Sequence, residues 1–212
     1  LSDGSSTGTN TFIGSVNVAS NGTFFTSSNS PFVFSGGIIN NGSFTKQGTG
    51  TATFNTNNQT ITGTQSATIN NMVITGVTLT NELTSGLTTT TISGTGNLIN
   101  GTAGNEAILY LTNTGNPLTL SGTIDFISSP NTVEYAINSA QTIIGVDFYN
   151  LSVSGARGGN SVTLANGGTI RVFNVFNPTT TFSSGGFINT NNTFEYNGTS
   201  DQMVSGDRKS VV

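Results

Sequence analysis

Cysteine, histidine and tryptophan are all missing from this 212-residue chain. Without cysteine no disulfide can staple the fold and no thiolate can bind a metal. Without histidine the usual Ser-His arrangement for nucleophilic catalysis is excluded, as are histidine-based zinc sites. Charge is scarce as well. Only 7% of residues are charged, where about 25% is usual in globular chains. The net charge is −4, and the one basic cluster is Arg208-Lys209 at the extreme C-terminus. A surface that tracks phosphates needs clustered Lys and Arg, so nucleic acid is not an expected partner. No apolar run approaches the roughly 18 residues of a membrane helix, so membrane insertion by this segment is not expected.

What fills the chain instead is Gly, Ser, Asn and Thr, the last two making up roughly 30% of it. Hydrophobic residues supply 33%, and they come in short, regularly spaced runs. Apolar and polar residues alternate at Phe32-Val33-Phe34, Leu118-Thr119-Leu120, Ile124-Asp125-Phe126, Leu151-Ser152-Val153 and Ile170-Arg171-Val172. A period of two sends one set inward and the other outward. Asp125, Glu134, Arg171 and Glu195 all fall on the outward set. Turn formers such as Asn21-Gly22, Asn41-Gly42, Asn100-Gly101 and Asn166-Gly167 separate the runs at roughly 8–12 residues, the spacing of an all-β protein.

Two all-β arrangements fit. One is a pair of β-sandwich repeats of about 100 residues each. The other, preferred here, is a right-handed parallel β-helix, a solenoid with coils of roughly 20 residues. A narrow solenoid core needs only one inward residue in two, which suits the modest apolar content. About ten coils at ~4.8 Å each predict a rod about 50 Å long. The pairs Asn40-Asn41, Asn57-Asn58, Asn70-Asn71 and Asn191-Asn192 are candidates for hydrogen-bonded ladders between coils.

The chain also resembles itself. Asn131-Thr132-Val133-Glu134-Tyr135 followed by Gln141-Thr142-Ile143 matches Asn192-Thr193-Phe194-Glu195-Tyr196 followed by Gln202-Met203-Val204. A looser copy runs from Thr53-Phe54 to Gln59-Thr60-Ile61. Phe148-Tyr149-Asn150-Leu151-Ser152-Val153-Ser154-Gly155 then matches Ile69-Asn70-Asn71-Met72-Val73-Ile74-Thr75-Gly76, with Val162-Thr163-Leu164 and Val77-Thr78-Leu79 following. A third copy is due after Gly206 and meets Asp207-Arg208-Lys209-Ser210-Val211-Val212 instead. One reverse translation of these six residues, GAT CGG AAG AGC GTC GTG, looks like a widely used short-read sequencing adapter. The expectation is a solenoid segment over 1–206, internal to a longer protein that starts before Leu1, with 207–212 as adapter-derived sequence, the alternative being a genuine basic tail.

The pattern Thr-Val/Phe-Glu-Tyr, Gln-Thr-Ile-x-Gly, Phe-Tyr-Asn-Leu-x-Val-x-Gly, Val-Thr-Leu resembles repeats of large secreted surface proteins of Gram-negative bacteria, of the filamentous-haemagglutinin or autotransporter β-helix adhesin type. The match runs from Thr51 to Gly206. The resemblance implies export, display on the cell surface and a stalk or adhesive role. Its partners would be surface glycans, host or neighbouring cells, and adjacent repeats of the same chain. It carries over no catalytic residues.

Three functions follow as expectations. The first is the non-enzymatic stalk or adhesin segment, with no catalytic, cofactor-binding or metal residues and no cofactor. The second is a polysaccharide-active β-helix enzyme, a lyase or hydrolase. Asp125 and Asp147 stand 22 positions apart, about one coil, and could serve as its acid and base. The third is an ice-binding solenoid, in which Thr51/Thr53, Thr60/Thr62, Thr78/Thr80 and Thr112/Thr114 would need to align on one flat face. Of Phe148 and Tyr149, neighbours on one strand, at most one can face solvent. Gly155, Gly158 and Gly159 lack the spacing of a phosphate-binding loop, and no Asp-rich calcium loop occurs.

Overall fold

Alternation over runs of three or four residues, broken by Gly and Asn turns, can only make short strands. A short strand is stable when identical segments stack on both its edges. The computed structural model of the chain, which describes residues 8–199 apart from Ser129, is all-β, with parallel strands stacked in a solenoid of about eight turns. Parallel pairing throughout rules out the sandwich arrangement, whose sheets are antiparallel.

Each early coil contributes one strand to each of three sheets. The first sheet stacks Asn10–Phe12, Phe32–Phe34, Ala52–Phe54, Met72–Ile74, Ile92–Gly94 and Leu118–Leu120. The second stacks Val16–Val18, Ile38–Asn40, Gln59–Thr62, Thr78–Asn81, Asn97–Asn100 and Ile124–Asp125. The third runs the length of the described chain in nine strands, from Thr23–Thr26 to Thr193–Tyr196. In the first sheet the partners Phe32, Ala52, Met72 and Ile92 follow one another every 20 residues. Further on, coils lengthen: Ile92 pairs with Leu118, Ala107 with Asn131, Asp147 with Arg171. The coil between them is shorter, with Thr132 pairing Asn150, and the described residues make about eight turns.

In-register stacking places like on like. The rings of Phe12, Phe34 and Phe54 form one column with centroids 5.4 Å apart at each step, and Phe24 stacks on Phe44 at 4.5 Å. Aliphatic residues take over after this, with Ile74, Leu79, Leu87, Leu98, Leu109 and Val133 fully buried. Gly63 sits at φ 132°, a conformation L side chains rarely adopt, and a Cβ there would run into the Asn40 carbonyl below. Its coil could not pack so closely with any other residue.

The asparagine ladder exists, but not where the Asn pairs suggested. Asn81, Asn100 and Asn131 are buried on three successive coils at the corner between the second and third sheets. Asn81 Nδ2 donates to Asn100 Oδ1 at 2.8 Å, and Asn100 Nδ2 donates to Asn131 Oδ1 at 3.4 Å and to the Thr132 carbonyl at 3.0 Å. The residues of the Asn pairs bond backbone and hydroxyl groups instead. Asn40 donates to the Ser66 carbonyl at 2.7 Å, Asn57 to that of Ser35, and Asn192 to that of Ala165. Asn58 accepts from the Thr78 N–H, and Asn71, at φ 54°, donates to Gly48 and accepts from Thr90. They lie in or beside turns, where coils differ in length and a neighbouring carbonyl is nearer than another amide.

The repeat copies do not stack on each other either. Asn131–Ala136 lies in the third sheet over Ala107–Leu111 and under Asn150–Ser154. Thr193–Tyr196 stacks on Thr169–Val172, whose Arg171 and Val172 stand on Asp147 and Phe148. Gln59 belongs to the second sheet, whereas Gln141 opens a separate three-stranded sheet with Val162–Leu164 and Phe187–Ile188. The similarity therefore encodes local strand-and-turn shape and does not set the copies on one another. Gln202–Gly206 of the third copy and the tail 207–212 lie outside the described residues.

Removing the middle amide of the ladder should be costly, because it strands polar groups on two neighbours. Asn100→Ala should lower the unfolding free energy by about 2–4 kcal/mol, read from denaturant midpoints. Thr88→Ala, on the outward side of the third sheet, should stay within about 0.5 kcal/mol.

Candidate functional site

The second coil-to-coil ladder of note is charged. Outward positions on successive coils carry Asp125, Asp147, Arg171 and Glu195. The bridge Phe126 to Phe148 sets Asp125 beside Asp147, and strand register sets Asp147 against Arg171 and Arg171 against Glu195. Arg171 Nε donates to Glu195 Oε2 at 2.8 Å, and its Nη1 reaches Asp147 Oδ1 at 3.4 Å. The flanking carboxylates raise the guanidinium above its ordinary value, Glu195 most. Asp125 Oδ1 accepts the Ile127 N–H at 3.0 Å. The stacking of Asp125 and Asp147 expected from their spacing is thus present.

Asp125, Asp147 and Arg171 flank a groove of about 620 Å3 that coincides with a mismatch in coil length. Gly115 bridges to Gln141, which pairs with Val162. Phe126 bridges to Phe148, which pairs with Val172. Between these fixed points one coil spends eleven steps, the next seven and the third ten. The middle coil cuts the corner. Val146 N–H donates to the Ile144 carbonyl at 3.0 Å in a three-residue turn, and Ile144 N–H donates to the buried Tyr135 hydroxyl at 3.3 Å. Gly145–Asp147 form the floor. Thr123–Ile127 form one wall, Thr169 and Arg171 the other. The strand Leu118–Leu120 of the first sheet consequently has a strand partner only on its N-terminal side.

Other outward residues are dispersed. Glu134 accepts from the Ser154 hydroxyl at 2.5 Å on the third sheet, away from the groove. Phe148 is buried against Phe126, ring centroids 5.6 Å apart, and Tyr149 is the half-exposed member of that pair. Thr51/Thr53 lie on the first sheet. Thr60/Thr62 and Thr78/Thr80 lie on the second, shifted so that Thr60 meets Thr80. Thr112/Thr114 follow the third-sheet strand Ala107–Leu111. The four pairs therefore share no single face. Among the described residues no group of three or more Asp or Glu is placed to hold a metal ion, and no helix is long and apolar enough to cross a membrane.

Two basic residues escaped the sequence reading because they point inward. Lys46 is fully buried on the third sheet, where its ammonium donates to the Gly50 carbonyl. Strict alternation after the inward Phe44 would have placed it there. Arg157 is buried at a corner that Gly155 kinks, so no alternation marks it. Its guanidinium donates to the Tyr135 carbonyl at 2.8 Å, Ser154 carbonyl at 3.0 Å, Gln141 Oε1 at 2.8 Å and Thr180 Oγ1 at 3.1 Å, and also to the Ser139 carbonyl. Gln141 in turn donates to the Leu111 and Asn113 carbonyls at 2.9 Å. Gln141 and Arg157 together tie four successive coils. Gln59, its counterpart in the loose repeat copy, accepts from Gly37 N–H, but its buried Nε2 finds no acceptor among the described residues.

No protein-family model, curated protein or solved structure matches the chain.

Arg157→Lys should destabilise nearly as much as Arg157→Ala, about 3 kcal/mol or more by chemical denaturation, because a single ammonium cannot serve five diverging acceptors. Burial holds the Lys46 pKa below its ordinary 10.5. The unfolded chain therefore binds more protons than the native one between the lowered value and 10.5, and stability attributable to this group rises with pH through that window. Denaturant midpoints of the native chain should climb relative to Lys46→Met as the pH is raised towards 10.5. Parallel midpoints for the two chains would show that Lys46 titrates alike folded and unfolded.

Proposed function

We propose that this chain is a rigid spacer and display segment of a repeat-built extracellular surface protein of the adhesin kind, acting by extension and weak multivalent contact, without turnover. The observation that carries this is how its polar side chains are used. Asn81, Asn100, Asn131, Gln141 and Arg157 all bond from one coil to another. Side-chain bonds of this kind between coils resist shear along the stretch they span, while the outward face is mostly short hydroxyl and amide side chains suited to contact with hydrated surfaces. The resemblance of its repeats to surface adhesins points the same way, and glycans or other cell surfaces are the partners it implies.

One observation favours a second reading, a polysaccharide-active enzyme: Asp125 and Asp147 share the groove. A general acid, however, is ordinarily kept protonated by an apolar pocket. Asp147 stands partly exposed beside a guanidinium, and Asp125 accepts a backbone N–H. The display role is therefore the better fit.

Cells displaying the chain on an outer-surface anchor should be retained on glycan-coated beads or on cell layers more strongly than cells displaying the anchor alone. The purified chain should release neither reducing ends nor unsaturated uronates from a polysaccharide panel. Equal retention of the two cell populations would refute the adhesive role. Product release abolished by Asp125→Asn would establish the enzymatic one.

A further inference from the structure

Resting on the adhesive role above, we infer that its contact site is the groove over Gly145–Asp147, and that the groove takes a short stretch of uncharged glycan. Three observations converge on that ligand.

The groove is made by the backbone. It lies where one coil is several residues shorter than those on either side, so its floor is set by the chain path. Its volume, about 620 Å3, falls within the range of about 300–1,000 Å3 typical of small-ligand sites.

Its lining mixes two kinds of surface in one strip. Asp125 and Asp147 offer acceptors, and Thr123 and Thr169 offer hydroxyls, beside aliphatic Ile124 and Val146. A pyranose presents the same combination, a hydroxyl edge next to a C–H face. Spare lone pairs on both carboxylates remain to accept sugar hydroxyls, and charge-assisted bonds of that type are stronger than neutral ones.

Charge then selects among glycans. Along the ladder three carboxylates face one guanidinium, and that guanidinium is already engaged on both sides by Glu195 and Asp147. An anionic chain would meet net negative potential with no free cation to receive it. A neutral chain meets no such repulsion and can bond both the carboxylates and the Thr123 and Thr169 hydroxyls.

The test is calorimetric titration of the full chain with cellohexaose, maltohexaose and a neutral galactan hexasaccharide, with polygalacturonate as the anionic comparison. At least one neutral hexasaccharide should bind, and polygalacturonate should bind more weakly. Asp125→Asn and Asp147→Asn should each lower the affinity by about tenfold or more, with circular dichroism unchanged. Glu134→Gln, away from the groove, should leave it unaltered. Binding that survives both groove substitutions, tighter binding of polygalacturonate, or no binding of any hexasaccharide would overturn the inference. Displayed cells separate it from the role it rests on. Retention that persists in the doubly substituted chain refutes the groove and leaves the adhesive role intact, whereas absence of retention with the native chain refutes the role itself.

Discussion

Parallel, in-register stacking is the constraint on which everything else here depends. Each side chain has fixed neighbours, the residues at the same place on the coils before and after it. An inward phenylalanine must stack on whatever lies one coil away, which is why Phe12, Phe34 and Phe54 occur as a set. A buried amide must find its partner in its own column or in a nearby backbone, which is why Asn81, Asn100 and Asn131 occur as another. The cost of an unpaired buried polar group makes such columns all-or-none along the stretch where the coils keep one length.

That constraint explains how far the sequence could be read. The all-β class, the short coils and the outward positions of Asp125, Glu134, Arg171 and Glu195 follow from alternation and turn residues, which are local properties. So does the stacking of Asp125 on Asp147, since their separation is one coil. Buried Lys46 was legible too, had alternation been weighed above the charge of the side chain. Arg157, the Gln141 bond network and the groove were not legible. Each depends on the length of one coil relative to its neighbours, and nothing in the residues around Ile144 states that Gln141 to Phe148 will span what Gly115 to Phe126 spans above it.

The groove shows how a regular stack acquires an irregular surface. The parallel ladder of the third sheet continues through the short coil unbroken, from Asn131–Ala136 to Asp147–Ser154 and on to Thr169–Pro178, although a register shift follows Phe148. The first sheet ends and a displaced one begins. The second sheet ends there too, at Ile124–Asp125, and is carried on only by the bridge from Phe126 to Phe148, so the third sheet alone runs through the mismatch. Tyr135, the tyrosine of the repeated element, holds the shortened path from inside, so a fully buried residue of the element supports the groove.

The copies of that element also stand in different columns of the stack. Glu134 looks out from one side of the stack, and Glu195, its equivalent, looks out along the column of Arg171 and Asp147. Lengthening such a chain by copying the element does not build a stripe. It sets the same short chemical group in separate columns of the stack, each copy beside different neighbours: Ser152 for Glu134, Arg171 for Glu195.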